Sequence, residues 1–247
     1  MSRVFNFFWT LFFVSNVSYA QKVKFENKEA EFLKNYTKFS ETEDFDSKQT
    51  QSGKFSSEFK KFISENPETL TYDFKELKDK LYIITSEDKK LRFYVWDTGM
   101  GGTMISFDQI IQYSSNGKVK TIYTSDTHYF VSEIMMASIN NQTYYLVIFN
   151  GIFSNKDQAQ AIQAFTIRNG KLIDTDKIFK TKTKSINRID ADFDFFSVVD
   201  RPERPLKLIK FEQNKLYIPV VDEKGIVSKK FLVYQLNNDC FQYIGVK

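Results

Sequence analysis

The 247-residue sequence contains one cysteine and one histidine. A disulfide needs two cysteines, so Cys240 excludes an internal disulfide bond and core packing must stabilise the chain unaided. Zinc sites built from several His or Cys ligands are excluded as well. A Ser-His-Asp or Cys-His catalytic site would have to use His128, and the sequence contains no Gly-x-Ser-x-Gly motif to accompany it. No cofactor is predicted.

The sequence also lacks a large excess of charge of one sign. It carries 35 basic and 31 acidic residues, a formal net charge of +4. A nucleic-acid-binding protein is expected to carry a strongly basic stripe that neutralises phosphates. The near-neutral balance argues against nucleic acid as a partner. Proline and glycine are scarce, with 4 and 9 residues, which is typical of a globular sheet protein rather than a fibrous or disordered one.

Long apolar runs are absent beyond the N terminus. Residues 4–14 are almost wholly apolar, Arg3 precedes them, and Ser18 and Ala20 place small residues before a cleavage site. These are the parts of a secretory signal peptide, whereas a transmembrane helix needs about 20 apolar residues. We therefore expect a signal peptide at residues 1–20, cleaved after Ala20. The mature chain is expected to be exported, periplasmic or extracellular, with no transmembrane segment.

The start of the mature chain is predicted to be a polar tether. Residues 21–53 are polar and charged, and only a short helix is expected within them, at residues 26–36.

Residues 54–80 are predicted to be a short helical segment. Four apolar residues recur there at helical spacing: Phe55, Phe59, Phe62 and Ile63. Ser56 or Ser57 is expected to cap the start of the helix, and Asn66-Pro67 is expected to end it.

Residues 81–247 are predicted to be an antiparallel β-meander domain. Apolar and polar residues alternate in several runs, and Asn-Gly or Asn-Asn pairs separate them, as at Asn116-Gly117 and Asn140-Asn141. The runs group into three units of four strands, with an additional strand near residues 186–196. The predicted fold class is mainly β, a meander that is partly propeller-like, a sandwich or a barrel, with short N-terminal helices.

The most distinctive stretch is residues 86–104, and three interpretations compete for it. A WD repeat is excluded because Trp96 is the only tryptophan of the mature chain, whereas that signature should return every 40 to 45 residues or so. Asp97-Thr98-Gly99 matches the short motif of aspartic peptidases, but that chemistry needs two aspartates and no second motif is present. The third interpretation is a glycine-rich turn, which on a rigid sheet often carries function.

The same region resembles a family of uncharacterised exported bacterial proteins. The likeness covers roughly residues 55–104 and lies in the order of a Phe-rich helix, Asn-Pro, Thr71-x-Tyr-x-Phe74, then Ser-x-Asp-x-Lys-Leu-Arg-x-Tyr-x-Trp-Asp-Thr and Gly-Gly-Thr. The resemblance implies export and a β-rich body, and it implies no activity.

Three aspartates alternate with apolar residues at Asp190, Asp192 and Asp194. Their spacing matches the start of a calcium loop, but Phe195 stands where the loop glycine is needed and Arg201 where the bidentate glutamate is needed. No metal site is therefore predicted. A calcium ion held by these aspartates remains the alternative to a solvated strand face.

These observations favour an exported, non-enzymatic binding or envelope-associated protein, whose partner is an unknown protein or glycan. Tyrosines and tryptophan on strands are able to stack on sugars or contact a protein. The predicted contact surface consists of Trp96, Asp97, Thr98, Gly99, Gly101, Gly102 and Thr103. No catalytic residue is predicted; the alternative is a carboxylate-dependent hydrolase of the aspartic type that uses Asp97 with a second acid.

Overall fold

A computed structural model describes the backbone of residues 5–247 and the side chains of residues 23–247, except that of residue 126. Over this range the fold is mainly β, with antiparallel sheets and two N-terminal helices, as predicted. The side chains of the predicted signal peptide lie outside the described residues, so cleavage after Ala20 stays a prediction. No helix in the described part of the chain is long and apolar enough to cross a membrane.

The helices are α1 (Phe5–Ser40) and α2 (Phe45–Glu65), and short 3₁₀ turns lie at Pro67–Leu70, Leu77–Asp79 and Phe195–Ser197. The strands, in chain order, are β1 (Tyr82–Thr85), β2 (Leu91–Asp97), β3 (Phe107–Ser115), β4 (Lys118–Thr127), β5 (Tyr129–Ile139), β6 (Gln142–Ile152), β7 (Asp157–Arg168), β8 (Lys171–Ile173), β9 (Phe179–Lys180), β10 (Ser185–Ile186), β11 (Arg188–Asp194), β12 (Lys210–Glu212), β13 (Lys215–Val221), β14 (Val227–Leu236) and β15 (Phe241–Val246).

The strands form three sheets, and each contains one of the predicted four-strand units. The first sheet is β1-β2-β3-β4; the second has the order β11-β7-β6-β5, with β8 also pairing with β7; the third is β10-β9-β15-β14-β13-β12. All pairings are antiparallel except that of β15 with β9. None of these described sheets closes into a barrel, so the fold is a set of meanders packed face to face.

Three predicted Asn turns form as expected, whereas Asn237-Asn238, also predicted as a tight turn between strands, has no left-handed residue. Asn116, Asn140 and Asn169 adopt φ values of +52°, +50° and +53°. Asparagine tolerates this left-handed conformation, which tight hairpins require. These turns reverse the chain at β3–β4, β5–β6 and β7–β8.

The helices and the three sheets are stacked as four layers. On β2, Leu91, Phe93 and Val95 face the second sheet, while Tyr94 and Trp96 face the helices. The second sheet likewise contributes one set of apolar residues to the core shared with the first sheet and another to the core shared with the third. Both faces of the inner sheets are therefore buried.

Residues 21–53 are not a tether. They belong to α1 and α2, which a four-residue turn joins. Phe25, Phe32, Tyr36 and Phe39 recur on one side of α1 and are buried. Their rings pack edge-on against rings of α2, as between Phe32 and Phe59, whose centroids lie 5.1 Å apart. The polar residues of this region are the solvent side of two packed helices, because a helix needs only one apolar stripe to dock.

The start of α2 also differs from the prediction, whereas its end agrees. The N-cap is Asp44, whose carboxylate accepts the Ser47 N–H at 2.9 Å. Ser56 instead lies mid-helix, and its hydroxyl accepts the indole N–H of Trp96 at 3.1 Å. The helix ends at Glu65, before Asn66-Pro67, since proline restricts the preceding residue and cannot continue the hydrogen-bond ladder.

Candidate functional site

The predicted contact residues lie where the helices meet the end of β2. This strand ends at Asp97, opposite Phe107 at the start of β3. The connection between them, residues 98–106, is called the Gly-rich loop below. The loop lies against both helices. Ser52 of α2 donates to the Thr98 carbonyl, and Lys48 of α2 and Tyr36 of α1 line a cavity together with the loop glycines.

Trp96 does not present a surface to a ligand. Its side chain is fully buried under α2, where its indole packs edge-on against Phe55 and Phe59 at 5.8 and 5.5 Å. Trp96 points to the helix layer because it has the same strand parity as Tyr94. The expectation that Trp96 contacts a partner is corrected: it anchors α2 to the first sheet.

Thr98 fixes the base of the Gly-rich loop. Its N–H and its hydroxyl both donate to the Ser106 carbonyl, each at 2.9 Å. Its own carbonyl accepts the Ser52 hydroxyl at 2.8 Å, which ties the loop to α2. Thr98 is nearly buried, and Thr103 at the far side of the loop is exposed.

The glycines allow the loop to fold back closely on itself. Gly99 and Gly102 have φ values of +70° and +57°, which residues other than glycine adopt only at a cost in free energy. A Cβ at Gly101 would lie 1.9 Å from the Met104 carbonyl oxygen, so only glycine fits there.

Asp97 is a half-buried carboxylate with one oxygen already engaged. Oδ1 accepts the Gly99 N–H at 2.7 Å. Burial raises the pKa of the Asp97 carboxyl above its ordinary range, and the Gly99 amide and the Lys48 ammonium oppose that rise by favouring the charged form. This arrangement leaves a partly desolvated carboxylate facing a cavity.

The cavity beside Asp97, called the Asp97 cavity, has a volume of about 270 Å³. It lies between the C-terminal end of α1, the first turn of α2 and the Gly-rich loop. Its lining residues are Tyr36, Phe39, Ser40, Lys48, Asp97, Gly99, Gly101, Gly102 and Ile105. Four of the seven predicted contact residues therefore border one space.

Tyr36 contributes a hydroxyl to this cavity. The residue is 8% exposed, and its ring packs against Phe39 and Phe55 with centroids 4.8 and 5.5 Å apart. Burial and then the charge of Asp97 raise the pKa of the phenol, so the hydroxyl stays protonated at physiological pH. Within the described residues, Gln51 Oε1 is the one fully buried side-chain oxygen or nitrogen that lacks a hydrogen bond. Tyr36 lines the Asp97 cavity, and no hydrogen bond among the described residues engages its hydroxyl.

A second open space, the α2 groove, lies on the other side of the loop and has a volume of about 470 Å³. Six serine and threonine residues line it, together with a tyrosine ring and one residue of each charge, and most of its exposed surface is apolar. Its lining residues are Gln49, Ser52, Gly53, Ser56, Ser57, Lys60, Thr98, Met100, Ser106, Asp108, Tyr123 and Ser125. The Tyr123 hydroxyl donates to Asp108 Oδ2 at 2.7 Å, and the Lys60 ammonium lies 3.9 Å from the Tyr123 ring centroid.

No second carboxylate borders the Asp97 cavity among the described residues. An aspartic mechanism needs two acids close enough to share a proton. The groups that act on the Asp97 carboxyl are the Lys48 ammonium and the Gly99 N–H, and no other acid is among them. The geometry therefore offers no support for the hydrolase alternative.

Asp190, Asp192 and Asp194 lie on β11 in the second sheet, with Ile189, Ala191 and Phe193 buried opposite them. Asp190 pairs with Arg188 at 2.8 Å, and Asp194 accepts the Phe196 N–H at 2.9 Å while pairing with Lys156 at 3.7 Å. No group of three or more His, Cys, Asp or Glu among the described residues is arranged to hold a metal ion. The structure therefore gives the calcium alternative no support, and the alternative stays untested.

The sequence interpretation missed the helical half of the site. Tyr36 and Lys48 fall in the segment predicted as a tether, and Gly53 precedes the predicted helical segment. The signal that was available is the aromatic spacing of α1, which is helical from Phe25 to Phe39.

Comparisons of the chain with protein-family models, with curated proteins and with solved structures find no match.

Proposed function

We propose that the chain is an exported, non-enzymatic binding or envelope-associated protein whose ligand site is the Gly-rich loop with the two spaces beside it. One observation carries the proposal: Asp97, Gly99, Gly101 and Gly102 border the Asp97 cavity, and Thr98 borders the α2 groove. Residues that merely close a turn would not need to line open space on both sides.

The surroundings of the loop support a binding role. The loop is held by paired hydrogen bonds to Ser106 and by Ser52, so its shape is set before a ligand arrives. Preorganisation of this kind lowers the entropic cost of binding. Export is supported by the apolar N-terminal run and the small residues before Gln21.

The α2 groove has the chemistry of a surface for a protein or a glycan. The exposed residues Ser57 and Ser125 add hydroxyls that donate and accept hydrogen bonds, and Tyr123 adds an aromatic ring. Its volume falls within the range of about 300–1,000 Å³ that is usual for ligand sites.

Gly53 allows a test that blocks the groove without disturbing the fold. It lies on the exposed side of α2, and a Cβ there meets no atom within 4 Å. The Gly53→Phe variant should place a ring in the groove, whereas Gly53→Ala should only improve helix propensity. The measurement is co-sedimentation of the purified protein with isolated bacterial envelopes.

Wild type and Gly53→Ala are expected to sediment with the envelopes, and Gly53→Phe is expected to bind about tenfold more weakly, a difference of about 1.4 kcal/mol. Circular dichroism of both variants should match wild type. Equal sedimentation of Gly53→Phe and wild type, or no sedimentation of any form, would contradict the proposal.

A further inference from the structure

The Asp97 cavity contains charges that balance each other. Asp97 supplies one negative charge and Lys48 one positive charge, and no other ionisable carboxyl or amine lines the cavity among the described residues. A cationic ligand would meet the ammonium of Lys48, and an anionic ligand would meet the carboxylate of Asp97. A ligand without net charge avoids both penalties.

The hydrogen-bonding groups that remain unpaired in the Asp97 cavity are complementary to hydroxyl groups. Oδ1 of Asp97 is engaged with Gly99, which leaves acceptor capacity on the carboxylate. Tyr36 as a residue is 8% exposed, its phenol is protonated, and no hydrogen bond among the described residues engages its hydroxyl. A hydroxyl group donates to a carboxylate and also accepts from a phenol, so neighbouring hydroxyls on one ligand satisfy both.

The size and walls of the cavity limit the ligand further. Its volume of about 270 Å³ lies just below the range of about 300–1,000 Å³ that is usual for drug-sized ligands. Phe39 and Ile105 add apolar walls to the polar groups. A single sugar ring combines hydroxyl edges with apolar C–H faces, and it matches this mixture.

We infer that the Asp97 cavity binds one neutral sugar residue, with Asp97 accepting from its hydroxyls and Tyr36 donating to them. This inference rests on the proposed binding function and names its ligand class. It assigns the α2 groove no part in holding that residue.

Two variants alter the polar groups of Tyr36 and Asp97 while keeping the packing. Tyr36→Phe deletes the hydroxyl and preserves the ring contacts with Phe39 and Phe55. Asp97→Asn removes the charge and keeps an acceptor for the Gly99 N–H. Tyr234→Phe is the matched control, since Tyr234 is also buried but lies on β14 in the third sheet. The purified full chain is titrated with glucose, galactose, mannose and N-acetylglucosamine, and binding is followed by saturation-transfer-difference NMR.

At least one of the four sugars is expected to bind the wild type. Tyr36→Phe and Asp97→Asn should each weaken that binding about tenfold or more, because each loses a hydrogen bond in a partly desolvated site. Tyr234→Phe should bind like wild type. Equal binding by all four proteins would place the sugar elsewhere and overturn the inference.

Two further outcomes separate this inference from the proposed function. Propylamine, a small cation, is titrated in the same way. If propylamine binds the cavity and no sugar does, the proposed ligand class is wrong. If none of the probes binds while the Gly53-dependent sedimentation with envelopes persists, the sugar inference fails and the proposed function stands. If both experiments fail, the sugar inference and the proposed function are both rejected.

Discussion

At the scale of single residues, Gly101 is the tightest point of the Gly-rich loop. A Cβ there would lie 1.9 Å from the Met104 carbonyl oxygen and 2.4 Å from the Ser106 nitrogen. Both obstacles are backbone atoms, so no side-chain rotation relieves the contact. Gly102 next to it differs, because its φ is +57° but a Cβ would meet nothing within 4 Å.

The two neighbouring glycines therefore predict unequal costs. Gly101→Ala should lower the free energy of unfolding by about 3 kcal/mol, because the loop backbone must move to admit the methyl group. Gly102→Ala should cost about 1 kcal/mol, the penalty of a left-handed alanine. Urea denaturation of both variants measures the difference. Equal losses would mean that the loop opens freely at Gly101.

At the scale of elements, α2 is the part that joins the helices to the first sheet. Phe59 is fully buried, and its ring centroid lies 5.1 Å from that of Phe32 on α1 and 5.5 Å from that of Trp96 on β2. Phe45 at the start of the same helix is 61% exposed. One helix therefore offers a buried and an exposed phenylalanine for comparison.

Phe59→Ala should lower the free energy of unfolding by about 3–5 kcal/mol, since it removes a large ring from a dense aromatic cluster and leaves a cavity. Phe45→Ala should change it by no more than about 0.5 kcal/mol. The midpoints of urea-induced unfolding, followed by tryptophan fluorescence, distinguish the two. A small effect at Phe59 would show that the helix layer is not docked as described.

At the scale of the whole molecule, α1 completes the first of the four layers. Phe25 is the first buried apolar side chain of the described residues, and it packs against Phe62 and Tyr72 at 5.5 and 5.2 Å. The carboxylate of Glu29 is buried and accepts the Tyr72 hydroxyl at 2.8 Å and the N–H groups of Glu76 and Leu77. α1 thus binds the connection that leads into the first strand.

These contacts predict where the chain tolerates shortening. A chain that begins at Gln21, as export would leave it, retains Phe25 and Glu29 and should unfold at the same temperature as the full chain. A chain that begins at Glu41 loses the α1 stripe, exposes apolar rings of α2 and should aggregate or unfold at lower temperature. Thermal unfolding and size-exclusion chromatography test both. An unchanged melting temperature for the shorter chain would show that α1 does not stabilise the helix layer.

Much of the β architecture follows from short stretches of sequence. The alternation in β2 and β11, three Asn turns and the grouping into three four-strand units all appear in the structure. The prediction of a tether at residues 21–53 is wrong, because polar residues on the outer side of a packed helix have the same composition as a tether. Whether the aromatic stripe of α1 is buried depends on a partner that lies far along the chain.

The sequence by itself determined the strands, their reversals and the end of α2, since these depend on side-chain period and on the backbone preferences of Asn, Gly and Pro. The tertiary structure decided which strands are buried on both faces, and it placed Trp96 in the core. It also brought Tyr36 and Lys48 to the same cavity as Asp97. Those outcomes depend on the stacking of distant elements, and no local pattern specifies which layer will cover a given face.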